Sequence, residues 1–85
     1  MNFVLSNHAK EELARRDIPL EVLEVVLAAP EQILEEDDLS VFQARYAATN
    51  GKTYLLRAYV NSSVEPARVV TVYRTSKIEK YWRPG

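Results

Sequence analysis

Eighty-five residues, 47% of them hydrophobic and 27% charged, make one small domain and exclude wholesale disorder. With no cysteine there is no disulfide framework and no thiolate metal site, and no apolar run approaches the roughly 20 residues a membrane-spanning helix requires. The net charge of −1 hides an imbalance, −7 over residues 1–40 and +6 over residues 41–85, which either turns the C-terminal half toward a polyanion or keeps two faces solvated.

The N-terminus has no basic segment followed by an apolar one, so a soluble, cytoplasmic, single domain spanning residues 1–85 is expected. Its core is small enough that a homodimer or a protein partner is expected to help complete it. Phe3 to Leu5 reads as a short β-like run. Ser6 then suits the N-cap of a helix over Asn7 to Asp17, whose narrow apolar stripe is Ala9, Leu13 and Ala14. Pro19 is expected at the first position of a second helix, which Pro30 stops.

Beyond Pro30 the hydrophobic period shortens from helical toward two. Gln32 to Leu34 reads as a short strand entering an acidic turn, Glu35 to Asp38. Val41 to Ala48 and Lys52 to Val60 read as strands joined by Asn50-Gly51, a strong two-residue hairpin signal. Pairing across that turn sets Tyr46 opposite Leu55, Ala44 opposite Arg57 and Phe42 opposite Tyr59, with Arg57 on the same face as Phe42. Arg68 to Arg74 is the last strand. Ser76-Lys77-Ile78-Glu79 fits a capping box, and Ile78, Tyr81 and Trp82 would share one side of a short C-terminal helix that docks on the domain. Arg74, Lys77, Lys80 and Tyr81 would then form a polar corner beside Arg57.

The C-terminal run Arg68-Val-Val-Thr-Val-Tyr-Arg-Thr-Ser-Lys-Ile-Glu-Lys-Tyr81, with His8-Ala9 in the first helix and Arg16-Asp17-Ile18 after it, resembles the RelE/ParE superfamily of toxins. More narrowly it resembles a toxin-like family close to BrnT. The resemblance implies an α+β, microbial-ribonuclease-type fold, with two N-terminal helices packed on one face of an antiparallel sheet of about four strands. It also implies a toxin-antitoxin function: cleavage of RNA, including ribosome-bound mRNA, through the ribose 2′-hydroxyl, with neither metal nor cofactor, and a cognate antitoxin as partner. Such chemistry needs a base near that hydroxyl, cations around the phosphorus and an acid near the leaving oxygen.

Carried onto this chain, the resemblance assigns Arg57 and Arg74 as phosphate clamps and Tyr81 or Lys77 as the contribution of the tail. His8 joins them as the side chain that titrates nearest neutrality. Arg68, Lys77, Lys80 and Arg83 are expected to hold RNA. Each has an ordinary reading beside this one: arginines on a sheet are often solvated or ion-paired, and His8 sits within reach of Glu11 and Glu12. Four adjacent acids in a turn, Glu35 to Asp38, make a charged loop more often than a metal site, so none is expected. The alternative function is a non-catalytic module that binds a protein through a sheet edge or the tail.

Overall fold

A computed structural model describes residues 2–84; Met1 and Gly85, the two ends of the expected 1–85 domain, lie outside the described residues. The elements run β1 (Phe3–Leu5), α1 (Asn7–Arg15), α2 (Leu20–Ala28), β2 (Gln32–Glu36), β3 (Leu39–Ala47), β4 (Thr53–Asn61), β5 (Ala67–Thr75) and α3 (Ile78–Tyr81). They build an α+β domain on one five-stranded sheet in the order β1-β5-β4-β3-β2. The sheet is mixed rather than purely antiparallel, because β1 joins its edge parallel to β5. Among the described residues no helix is long and apolar enough to cross a membrane.

Local chemistry sets the helix ends. The Ser6 hydroxyl accepts a hydrogen bond from the Ala9 N–H at 2.9 Å and donates one to the Val70 carbonyl at 2.7 Å, so it both caps α1 and ties it to β5. The helix stops two residues earlier than expected. Asp17 adopts φ +54°, the Ile18 N–H returns to the Leu13 carbonyl and the Asp17 N–H to the Ala14 carbonyl, which is the Schellman arrangement. Ile18 is then buried in the core. Pro19 caps α2 from extended backbone rather than occupying its first turn.

The hairpins correct the expected register. Asp37 and Asp38 alone make the β2–β3 turn, both at positive φ, and leave Glu35 and Glu36 inside the strand. Between β3 and β4 the loop takes three residues, Thr49, Asn50 and Gly51. The Gly51 N–H bonds the Ala48 carbonyl and Gly51 sits at φ +85°. That extra loop residue shifts every partner by one: Tyr46 pairs with Tyr54, Ala44 with Leu56, Phe42 with Ala58 and Gln43 with Arg57. A one-residue slip exchanges the faces of a strand. Arg57 therefore stands on the face opposite Phe42.

Both long helices cover one face. Leu13, Leu23 and Val26 pack there with Leu56, Ala58 and Val72 in a single apolar cluster. A bulge near Val70 lets Val69 and Val72, three residues apart, both face this core. The other face carries Gln43, Arg57 and Tyr59, with Tyr73 beside Arg57 on β5. Residues 78–83 lie across it.

Candidate functional site

Arg57 is the centre of the helix-free face and one of the most buried side chains in the protein, at 1% exposure. A buried guanidinium must have its donors satisfied. Nε donates to the Gln43 side-chain oxygen at 2.9 Å, Nη1 to the Tyr59 hydroxyl at 2.8 Å, and Nη2 to the Glu36 carboxylate at 2.6 Å. The Tyr81 ring lies over the guanidinium, 4.3 Å from its carbon to the ring centroid. Tyr59, a phenol half withdrawn from solvent, titrates above its ordinary value because burial disfavours the phenolate, against the pull of Arg57.

A polar relay runs from this centre to the chain's end. The Gln43 amide donates to the Gln32 side-chain oxygen at 2.8 Å and to the Tyr81 carbonyl at 3.2 Å. Gln32 in turn donates to the Arg83 carbonyl at 2.6 Å and accepts from the Arg83 N–H at 3.1 Å. The Arg45 guanidinium, held in an ion pair by Glu31, lies 4.4 Å from the Trp82 ring centroid. Two glutamines thus read the main chain of the C-terminal segment, and two arginines read its adjacent aromatic rings. The capping box does not form. Lys77 rather than Ser76 is the N-cap of α3, and the Lys77 N–H bonds the Thr75 hydroxyl at 3.0 Å.

Beside Arg57, Tyr73 collects a second group of polar side chains. Its ring meets that of Tyr81 edge-on, with centroids 6.1 Å apart, and the Arg16 guanidinium lies 5.0 Å over it. The Lys80 ammonium approaches Tyr81 at 5.4 Å. The Tyr73 phenol titrates below its ordinary value. The Tyr81 hydroxyl is the main cause and Thr75 the next, with burial opposing and the charges of Lys80 and Arg16 assisting. Arg16 is itself aimed by Glu12, whose carboxylate is bonded by both Arg15 and Arg16 and held down to about 2 by these two partners.

The expected site residues divide among separate places. Tyr81 and Lys80 gather near Arg57, but Arg57 is covered and fully engaged rather than open to a phosphate. Arg74 does not join it. Arg74 pairs with Leu56 on the helix-bearing face, lies 4.2 Å from the Tyr54 ring centroid and reaches the Tyr46 hydroxyl at 3.4 Å, in a cleft also lined by Asp17 and Glu21. Arg57 and Arg74 therefore form no shared corner, contrary to expectation, because adjacent pairing positions put them on opposite faces of the sheet. His8 is exposed on α1, on the helix side of the sheet, and Arg68 is exposed at the β1 end of β5. Lys77 and Arg83 are exposed on the tail.

Tyr73, Arg16 and Glu36 are the members that sequence reading missed. The alternation Tyr59, Arg57 on one strand and Tyr73 on the next was visible, but only the correct register unites them. Among the described residues, no group of three or more His, Cys, Asp or Glu side chains is arranged to hold a metal ion. Residues 5–74 match the sequence profile of a family described as domain of unknown function (DUF4258). No curated protein and no solved structure matches the chain.

Proposed function

The chain belongs to the DUF4258 family, and we propose that within it this protein is a RelE-like, toxin-type RNA endonuclease acting in the cytoplasm and restrained by a cognate antitoxin. Its working surface is the helix-free face of the sheet. The observation that carries this reading is the convergence of Arg16 and Tyr81 on Tyr73, with Lys80 over the adjoining Tyr81 ring, around a phenol whose environment favours its ionised form. Basic groups and aromatic rings interleave there, as single-stranded RNA requires.

In this scheme the Tyr73 phenolate takes the proton of a ribose 2′-hydroxyl, and the 2′-oxygen attacks the adjacent phosphorus. Arg16 and Lys80 stabilise the charge that builds on the phosphoryl oxygens. The bond from phosphorus to the 5′-oxygen breaks as Tyr81 donates its proton to that oxygen. The products are a 2′,3′-cyclic phosphate and a 5′-hydroxyl, and a proton passing from Tyr73 to Tyr81 resets the pair. The route calls on no metal. Arg57 positions Tyr81 from beneath.

Purified protein incubated with a single-stranded RNA oligonucleotide should yield cyclic-phosphate ends, and Tyr73→Phe should slow cleavage by about 100-fold or more. Arg74→Ala should leave the rate within a few-fold. Intact RNA after prolonged incubation at micromolar enzyme would remove the catalytic reading.

A second reading has its own support. The face already receives a polypeptide, through the bonds of Gln32 and Gln43 to the main chain of Tyr81 and Arg83. A non-catalytic protein-binding module would use the same contacts for a partner. Recovery of one stoichiometric protein partner from cells, with no change in RNA, would favour it over cleavage.

A further inference from the structure

On the helix-bearing side, away from Tyr73, β1, α1 and α2 enclose a groove of about 560 Å³. Its floor is Phe3, Leu5, Leu23 and Leu27, and on its rim Val4 and Leu20 remain 45% and 47% exposed. Lys10 and Glu24 border the same groove with opposite charges, and among the described residues neither has an ion-pair partner. β1 is also the last strand on its side of the sheet. An apolar floor, an outer strand edge and an unpartnered pair of opposite charges therefore coincide in one place.

We propose that this groove is where two copies of the chain meet across a two-fold axis. A two-fold interface presents the same patch from both copies, so a surface with one cation and one anion is its own complement: Lys10 of each copy faces Glu24 of the other. The same axis runs β1 antiparallel to its counterpart and continues the sheet, and Leu20 of each copy closes over the apolar floor of the other. A partner of single charge sign would satisfy one rim residue and oppose the other. The surface lies apart from Tyr73 and Tyr81, so dimerisation and RNA cleavage stand or fall separately.

The test is sedimentation of the full chain over about 1 µM to 1 mM. The wild type should form dimers, and Leu20→Glu should raise the dimer dissociation constant roughly tenfold or more, as loss of a buried leucine implies. Lys10→Glu and Glu24→Lys should each weaken the homodimer, because each places like charges on both contacts. Mixing the two single variants should restore a heterodimer, and the double variant Lys10→Glu/Glu24→Lys should again pair with itself. Circular dichroism checks that every variant is folded; because Lys10, Leu20 and Glu24 are exposed, the fold should be unchanged. A wild type that stays monomeric at 1 mM overturns the proposal. So does a dimer indifferent to Leu20→Glu, or single variants whose mixture associates no better than either alone.

Discussion

Arg57 and Arg74 stand on opposite faces of one sheet, because Arg57 pairs with Tyr73 and Arg74, the next residue, pairs with Leu56. Their energetic roles should be independent. Arg57→Ala leaves Glu36 and Gln43 without their buried donor and should cost about 2–3 kcal/mol, below the full penalty of a broken buried pair because the Glu36 side chain is 37% exposed. Arg74→Ala loses a stacked ring and a long hydrogen bond, worth about 1 kcal/mol. Urea denaturation of the singles and the double should give effects that add within about 0.5 kcal/mol.

The C-terminal segment is held by side-chain amides and stacked rings, and α3 contains no buried residue. Gln32→Ala removes both bonds to the Arg83 main chain and should loosen the segment without unfolding the sheet. Because Trp82 is the single tryptophan, its emission should shift to the red. Trypsin should also cut after Lys77 and Lys80 several-fold faster in the variant than in the wild type.

Acid should weaken the fold through Glu12 and Glu31, each held down to about 2 chiefly by hydrogen bonds, from Arg15 and Arg16 to the first and from Arg45 to the second. Carboxylates with a lowered folded value stabilise fully above the ordinary value near 4.5, and that contribution is lost as pH falls from there toward about 2. The urea midpoint should therefore fall modestly between pH 4.5 and 2.5, because Arg15, Arg45 and Glu31 reach solvent, which screens these pairs. Glu12→Gln should flatten the fall and lower the midpoint at pH 6.

Gly51→Ala tests the three-residue loop. At φ +85° an alanine is strained, yet a Cβ there would meet nothing within 4 Å, so the cost is one of backbone alone, about 1 kcal/mol. Gly51→Asn should cost less, since asparagine tolerates left-handed backbone better. Thermal melting distinguishes the two.

These residues show why part of the molecule was legible and part was not. Ser6, Pro30 and the β-branched run of β5 act on their own neighbourhoods, so the elements they begin, end or fill were readable from local chemistry. Register depends on one loop residue. Asn50-Gly51 reads as a two-residue turn, and inclusion of Thr49 in the loop sends Arg57 to the other face. The parallel pairing of β1 with β5 joins segments more than sixty residues apart, which no local pattern encodes. Ser76 does not cap α3, because the helix starts one residue later, with Lys77 at the N-cap and its N–H held by the Thr75 hydroxyl. Tyr73 gained its setting only when α1, β5 and the tail came together.

The Ser6 hydroxyl that joins α1 to β5 gives the helix the character of a lever. The pivot is at Ser6, and the far end carries Arg16 to Tyr73. Over the roughly 15 Å between them, set by a rise of about 1.5 Å per residue, a tilt of about 10° would displace Arg16 by about 2–3 Å. The Ser6 bond to β5 and the burial of Leu13 and Ile18 at the other end together fix the tilt that sets Arg16 over the Tyr73 ring.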